Sequence, residues 1–438
     1  MAGSADEPID WFRNTAPYIN AHRRSTFVVM VPGEVAACGQ LLRLMQDLAL
    51  LSSLGVRIVL VFGSRPQIDA ELAELDLPCE MHDGLRVTDS AIMQIIRQVV
   101  GRQRFELEAL LSMGLPNSPM QGARLQVVSG NFLIARPRGV HKGVDFQLTG
   151  SVRRINTQAI RSLLDAGSIV MLSALGHSPS GETFNVNAEE VASAAAIALS
   201  AEKLILLTET NGIYDLDDRL IRQCTSASVN STSTAHQAGG RLLRLAADAC
   251  TSGVDRCHIV SFCDPDALLT ELFTVDGGGT LITREQYESA RWAVSDDVSA
   301  VLALIQPLEQ SGVLRTRSRD LLESEIGQFR ILERDSRITA CAAMYPFLEE
   351  GCAEIACIVT HLDYRGDGRA QKLLEDLENE AQHADITRLF VLTTQTEHWF
   401  LEQGFATASL QDLPDQRQRM FNLQRNSKVL IKDLKHSP

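Results

Sequence analysis

No two of the nine cysteines stand in a CxxC spacing, and they are scattered from Cys38 to Cys357. An odd, dispersed set excludes a disulfide framework and a zinc ribbon. Cys257 adjoins His258 and Cys263 follows, but adjacent ligands do not close a tetrahedral site without a second pair elsewhere. The thiols therefore read as buried and free, and no metal is expected. Long apolar runs are missing as well: none approaches the ~20 residues needed to span a bilayer. The opening MAGSADEPIDWF carries acidic residues where a secretory signal carries a basic segment and an apolar core. A cytoplasmic protein with no membrane partner is expected. Basic stripes interleaved with aromatics are also absent, and 41 Lys and Arg against 55 Asp and Glu leave a net charge of −14. Nucleic acid is not an expected partner. There is no internal repeat and no low-complexity segment.

A length of 438 residues with 45% hydrophobic content implies two or three domains. From about residue 25 to 285, strand-like runs alternate with helical stretches: STFVVMV, a helix near 38–53, VRIVLVFG, a helix near 66–75, LQVVSGNFLIA, GSIVMLSAL and EKLILLTE. Such alternation predicts a three-layer α/β domain with a mainly parallel sheet. VNAEEVASAAAIALSAEK reads as a helix whose Ala-rich face approaches the sheet closely, capped by Asn187 with Glu190 three residues on. The texture changes around TVDGGGTLITREQYESARWAVSDD, which predicts domains at 1–285 and 286–438. The second reads helix 297–311, helix 318–325, strands QFRILERD, ITACAAMYPF and EIACIVTH, helix 369–384, strand RLFVLTT, a short helix at HWFLEQ and strand KVLIKDL. Helices, an antiparallel meander and a strand–helix–strand unit make an α+β fold.

The turn RGDGRA at 365–370 lies between a strand and a helix. Free backbone N–H groups and the helix dipole favour an anion there. Gly366, Gly368 and Ala370 keep side chains out of the way, and Arg365 and Arg369 can reach phosphate oxygens. A plain flexible helix start and an RGD adhesion tripeptide are the competing readings. RGDGRA resembles the RxxGxA pyrophosphate loop of the GCN5-related N-acetyltransferases, which cradles coenzyme A. The whole chain resembles the bacterial two-domain N-acetylglutamate synthase family, an amino-acid-kinase-like domain followed by an acetyltransferase domain. PYINAHR, LLSSLGVRIVLVFGSRPQID, GLRVTD, VVSGNFLIARP, ACAAMYPFLEE, LFVLTTQTEHWFLEQGF and QRNSKVLIKDL carry the match through nearly the full length.

The resemblance implies transfer of acetyl from acetyl-CoA to the α-amino group of L-glutamate, the first step of arginine synthesis. An α-ammonium group must lose a proton before it attacks a thioester, so a base or water relay is required. The family places a glutamate on the strand before the coenzyme A loop. That position is Glu354, where apolar neighbours such as Ile355 desolvate a carboxylate for such work. The departing thiolate needs a donor, implied to be Thr393, with Thr394 an open alternative. Backbone N–H groups at Cys357, Ile358 and Val359 are implied to hold the thioester or pantetheine, together with the loop Arg365, Gly366, Asp367, Gly368, Arg369 and Ala370. Cys357 as an acyl-carrying nucleophile lacks a His–Asp pair to activate it. For the dicarboxylate acceptor the family implies Arg425 and Ser427, the Leu314 and Cys357 backbones and Arg317, with Arg315 an alternative to Arg317.

Amino-acid kinases hold ATP with a lysine and successive glycines, and this chain has VVMVPGEVA and VFGSRPQID at those places. Without that cradle the phosphoryl charge goes unneutralised, so kinase activity is not expected. GLRVTD, with Arg86 and Asp89, persists as a structural remnant. The resemblance implies instead an L-arginine effector site in the first domain, with Tyr18 on an N-terminal helix, Glu271 facing a guanidinium, and Gly277 and Gly279 allowing close approach. It also implies a homo-oligomer, a hexamer in the family. Ordinary helix and turn readings of LLTELF and GGG stand beside this.

Overall fold

The runs TFVVMV and RIVLVF form adjacent parallel strands, Thr26–Val31 (β1) and Arg57–Phe62 (β2), paired from Thr26↔Arg57 to Val31↔Phe62. Successive side chains on a strand point to opposite faces, and here both sets are buried. Val28 and Met30 belong to one core, Phe27, Val29 and Val31 to another. Strands without a polar face sit inside a sheet covered on both sides. The other strands of that sheet are Val127–Ser129 (β3), Ile169–Ser173 (β4), Lys203–Thr208 (β5), Gln223–Thr225 (β6), Arg256–Ser261 (β7) and Thr280–Thr283 (β8). Their order is β6-β8-β7-β5-β1-β2-β4-β3, and every pairing is parallel except β7 with β8.

The computed structural model describes residues 7–114, 120–229, 232, 234, 236–274, 277–284, 288–334, 337–366, 368–421 and 427–434. The chain divides into two units, Met1–Gln286 and Tyr287–Pro438. In the first, helices Glu7–His22 (α1), Leu41–Ser53 (α2), Arg65–Glu74 (α3) and Ser90–Leu111 (α4) lie with Ala267–Phe273 (α8) on one face of the sheet. Helices Thr157–Asp165 (α5), Ala188–Leu199 (α6) and Gln237–Thr251 (α7) cover the other. Asn187 caps α6 as its sequence predicts, accepting from Glu190 N at 3.0 Å, and Ala192, Ala195 and Ala196 are fully buried on the face that meets the sheet. A second sheet of four strands, in the order Thr183–Asn185, Leu175–His177, Leu133–Pro137 and Gly150–Ile155, completes the unit. Among the described residues, no helix is long and apolar enough to cross a membrane.

The second unit has a seven-stranded mixed sheet: Ser289–Trp292 (β9), Phe329–Arg334 (β10), Arg337–Phe347 (β11), Cys352–Thr360 (β12), Arg388–Thr393 (β13), Ala406–Ala408 (β14) and Lys428–Asp433 (β15), in the order β9-β10-β11-β12-β13-β15-β14. Val298–Gln310 (α9) and Arg319–Glu325 (α10) pack on one face, Arg369–His383 (α11) on the other. Glu397–Glu402 (α12) and Asp415–Arg419 (α13) are short. Strands β9 and β14 lie where the sequence shows no strand pattern. β9 is only four residues long and is fixed from outside: Arg291 bridges Glu333 on β10, at 2.5 Å, and Asp297, at 2.7 Å.

Candidate active site

The site in the second unit begins with an irregularity in β12. Ala340↔Thr360 and Cys341↔Val359 are followed by Ala343↔Ala356, so β12 carries one extra residue against β11. Cys357 sits at this bulge with φ of 55°, left-handed backbone that a non-glycine residue rarely adopts. An extra residue reverses the alternation of a strand. Ala353 and Ile355 therefore face the α11 core, whereas Cys357 and Val359 face the α9 core. On its other edge, β12 pairs in parallel with β13 only as far as Ile355↔Val391. Beyond that pair the two strands diverge. A cavity of about 1250 Å³ occupies this end of the sheet and is lined by residues 354–360 of β12 and 391–396 from β13 and its following turn.

The loop from β12 to α11 lines the same cavity. Gly366 has φ of 99°, and Gly368, which caps α11 through its backbone, has φ of 70°. A Cβ at either position would meet nothing within 4 Å. The glycines are there for their backbone conformation rather than for space. Arg365 and Ala370 line the cavity. Arg369 departs from the expectation that its side chain reaches phosphate. It is buried, donating from Nε to Glu288 at 2.7 Å and from Nη1 to the Tyr364 carbonyl at 2.9 Å. It braces the loop, and what it can offer an anion is backbone N–H. Asp367 lies outside the described residues.

Glu354 lies on β12 opposite Tyr345 and is buried. It does not stand among apolar neighbours alone, as its sequence suggests. Arg417 on α13 donates to both carboxylate oxygens, from Nε at 2.6 Å and Nη2 at 3.0 Å. Thr393 is buried; its Oγ1 accepts from Thr396 N at 3.0 Å and Gln395 N at 3.3 Å, and lies 2.8 Å from the Thr396 hydroxyl. With two N–H groups on its lone pairs, the proton is what this hydroxyl has left to give. Thr394 is exposed and also lines the cavity.

Leu314, Arg315, Arg317 and Ser427 line the same cavity. Arg317 is half-buried and Arg315 exposed. Burial lowers the Arg317 guanidinium, but Cys357 and Tyr345 outweigh that and hold it above its ordinary value. Cys357 is held below the ordinary thiol range by a hydrogen bond from Cys341 and by Arg317, against burial. Arg425 lies outside the described residues. The structure thus gathers Glu354, Thr393, the β12 backbone, the glycine loop, Arg317 and Ser427 around one cavity and adds Arg417, which sequence reasoning missed. Its only signal is two arginines in an otherwise featureless DQRQR.

In the first unit, Glu271 on α8 is not open to a guanidinium as expected. It accepts from Gly278 N at 2.8 Å, Gly279 N at 2.9 Å and His258 Nδ1 at 2.6 Å. Lys203 Nζ stands 3.3 Å from His258 Nε2, so a neutral imidazole links an ammonium to a carboxylate. Burial and Lys203 hold His258 below its ordinary value. A Cβ at Gly277 would stand 2.4 Å from Glu271 Oε2, and one at Gly279 2.3 Å from the Ile259 carbonyl. Tyr18 is half-buried, with its ring 6.5 Å from that of His22, and His22 Nε2 bonds the Leu272 carbonyl of α8 at 2.8 Å. Where kinases hold phosphates, Gln67 fills the space over Gly33 and donates to its carbonyl at 2.6 Å, while Gln103 donates to the Gly63 carbonyl at 3.0 Å. Arg86 pairs with Asp69, and Asp89 caps α4.

Two strands that part at a cavity, a glycine loop entering a helix beside them and a carboxylate on the central strand make the second unit an acetyltransferase, joined to an amino-acid-kinase fold. The family models agree: the Amino acid kinase family matches residues 25–261, and the Acetyltransferase (GNAT) family residues 298–405. An amino-acid acetyltransferase of Pseudomonas putida is 48% identical over 428 residues, covering 97% of this chain and 99% of its own. Another, from Azotobacter vinelandii, is 50% identical over 430 residues. The crystal structure of N-acetylglutamate synthase from Neisseria gonorrhoeae, complexed with coenzyme A and L-arginine, is 38% identical, with a TM-score of 0.87 over 98% of this chain and 99% of its own. The chain belongs to the amino-acid acetyltransferase family and is an acyltransferase enzyme.

Proposed function

We propose that the chain transfers acetyl from acetyl-CoA to the α-amino group of L-glutamate, giving N-acetyl-L-glutamate and CoA, as the first step of arginine biosynthesis. Residues 286–438 are the catalytic domain. Residues 1–285 have lost the kinase chemistry and serve as a sensor through which L-arginine inhibits the enzyme. The observation that carries this reading is the single cavity joining Glu354, Thr393, the open edge of β12 and Arg317. A solved relative complexed with coenzyme A and N-acetyl-glutamate, 38% identical to this chain, supports the same acceptor.

The β12 backbone beyond Ile355 and the N–H groups at the start of α11 hold the thioester and pyrophosphate. Gly366 and Gly368 give the loop the left-handed backbone that turns those N–H groups toward the site, and Arg365 adds charge. Arg317 and Ser427, with Arg425, take the carboxylates of the acceptor. Glu354, once Arg417 lets go of at least one oxygen, takes a proton from the ammonium group. The nitrogen then attacks the thioester carbonyl: a C–N bond forms, the C–S bond breaks with the Thr393 hydroxyl donating a hydrogen bond to the departing sulfur, and the second proton shed by the nitrogen ends on that sulfur, giving CoA as the free thiol. Three of about four lone-pair sites on Glu271 are filled, so an arginine effector uses the remaining one or displaces His258. The protein works in the cytoplasm as a homo-oligomer.

Acetyl-CoA labelled in the acetyl carbonyl, incubated with glutamate and the full chain, tests the reading by mass spectrometry. Labelled N-acetylglutamate whose formation falls on adding arginine is expected. Label on a different amine, or only free acetate, sinks it and leaves an acetyltransferase with another acceptor.

A further inference from the structure

Cys38 and Cys263 are 225 residues apart in sequence, yet their sulfurs lie 3.4 Å apart, and both residues are exposed. Neither belongs to a helix or strand. Cys38 lies in the turn between the short 3-10 helix Gly33–Ala36 and α2, and Cys263 in the bend after β7. Turn backbone lets the two sulfurs close to bonding distance without disturbing the sheet. The same two segments are already tied by Arg43, near the start of α2, and Asp266, just before α8, at 2.6 Å.

We propose that Cys38 and Cys263 form a reversible redox staple, an intramolecular disulfide that joins the loop after β1 to the loop leading into α8. The oxidant is a low-molecular-weight disulfide of the glutathione class. The Cys38 thiolate attacks one sulfur of that disulfide and releases one small thiolate, leaving a mixed disulfide. The Cys263 thiolate then attacks Cys38 Sγ and displaces the second small thiolate. The two protons lost from the protein thiols go to the two released thiolates. The protein loses two electrons and the small disulfide gains them. Two further close pairs, Cys250 with Cys257 at 3.4 Å and Cys341 with Cys357, are buried and so out of reach of a small disulfide.

The full-length chain is treated with oxidised glutathione, alkylated, and mapped by mass spectrometry without reduction. A Cys38–Cys263 peptide, with two fewer free thiols and reversal by dithiothreitol, is expected, together with a higher unfolding midpoint in the oxidised form. Cys38→Ser and Cys263→Ser must each abolish the cross-linked peptide. Unreacted thiols, a glutathione retained on either cysteine, or a bond between two chains overturns the proposal. So does a Cys250–Cys257 bond formed in its place.

Discussion

Replacing Glu354 with Gln separates the chemistry of this carboxylate from its place in the fold. The substitution keeps the volume, and the remaining carbonyl oxygen still accepts one of the two bonds from Arg417. What is lost is one charge-assisted hydrogen bond and the charge on the other. The side chains are 11% and 21% exposed, so water replaces part of the loss. The cost is about 1–2 kcal/mol, equivalent to a fall in the unfolding midpoint of about 2–8 °C for a unit of this size. Loss of a general base costs about 10²- to 10⁴-fold in rate. The expectation is therefore a kcat at least about a hundredfold lower in a protein that melts only slightly earlier. Thiol release from acetyl-CoA under saturating glutamate gives the first quantity and calorimetry the second. A kcat nearly equal to wild type would refute Glu354 as the base. A collapsed melting transition would show that the carboxylate serves the fold instead.

Arg417→Ala strands the Glu354 carboxylate and is expected to lower kcat/KM about ten- to hundredfold, with only partial recovery in Arg417→Lys, whose ammonium has no fork to match two oxygens; steady-state kinetics on the three proteins decides. Arg317→Met should raise KM for the amino acid by about ten- to hundredfold and leave KM for acetyl-CoA unchanged, and equal effects on both substrates would contradict its assignment to the acceptor. Gly368→Val forces a side chain into left-handed backbone at a cost of about 1–2 kcal/mol, so weaker coenzyme A binding by calorimetric titration is expected. His22 is held down to about 4 by burial, then by Lys203. The unfolded state takes up a proton below about 6.5 that the folded state refuses. Stability therefore falls as pH drops from about 6.5 toward 4, by about 3 kcal/mol in all. Urea unfolding at pH 7 and pH 5 should show the decline, and His22→Gln should flatten it.

Sequence pattern reached far into this molecule where the determinant was local. The two-sided apolar runs of β1 and β2 announced a covered parallel sheet, Asn187 with Glu190 announced the start of α6, and RGDGRA announced the turn into α11. It fell short where a partner came from a distant element. Arg369 turns inward because Glu288, 81 residues earlier, receives it. Glu354 is held by an arginine 63 residues later on a five-residue helix too short and polar to show a period. Glu271 is enclosed by His258 and two backbone N–H groups that no spacing rule brings together. The bulge at Cys357 is likewise invisible in CAEIACIVT, since it exists only against the register of β11.

The cavity of the second unit is proposed to acetylate a dicarboxylic amino acid. Initial rates of thiol release from acetyl-CoA, measured with each of the twenty amino acids in turn, test it most directly. Release well above background is expected with glutamate, with glutamine, which lacks the second carboxylate, far behind. Equal rates across the set, or a preference for an uncharged or basic amino acid, would contradict it.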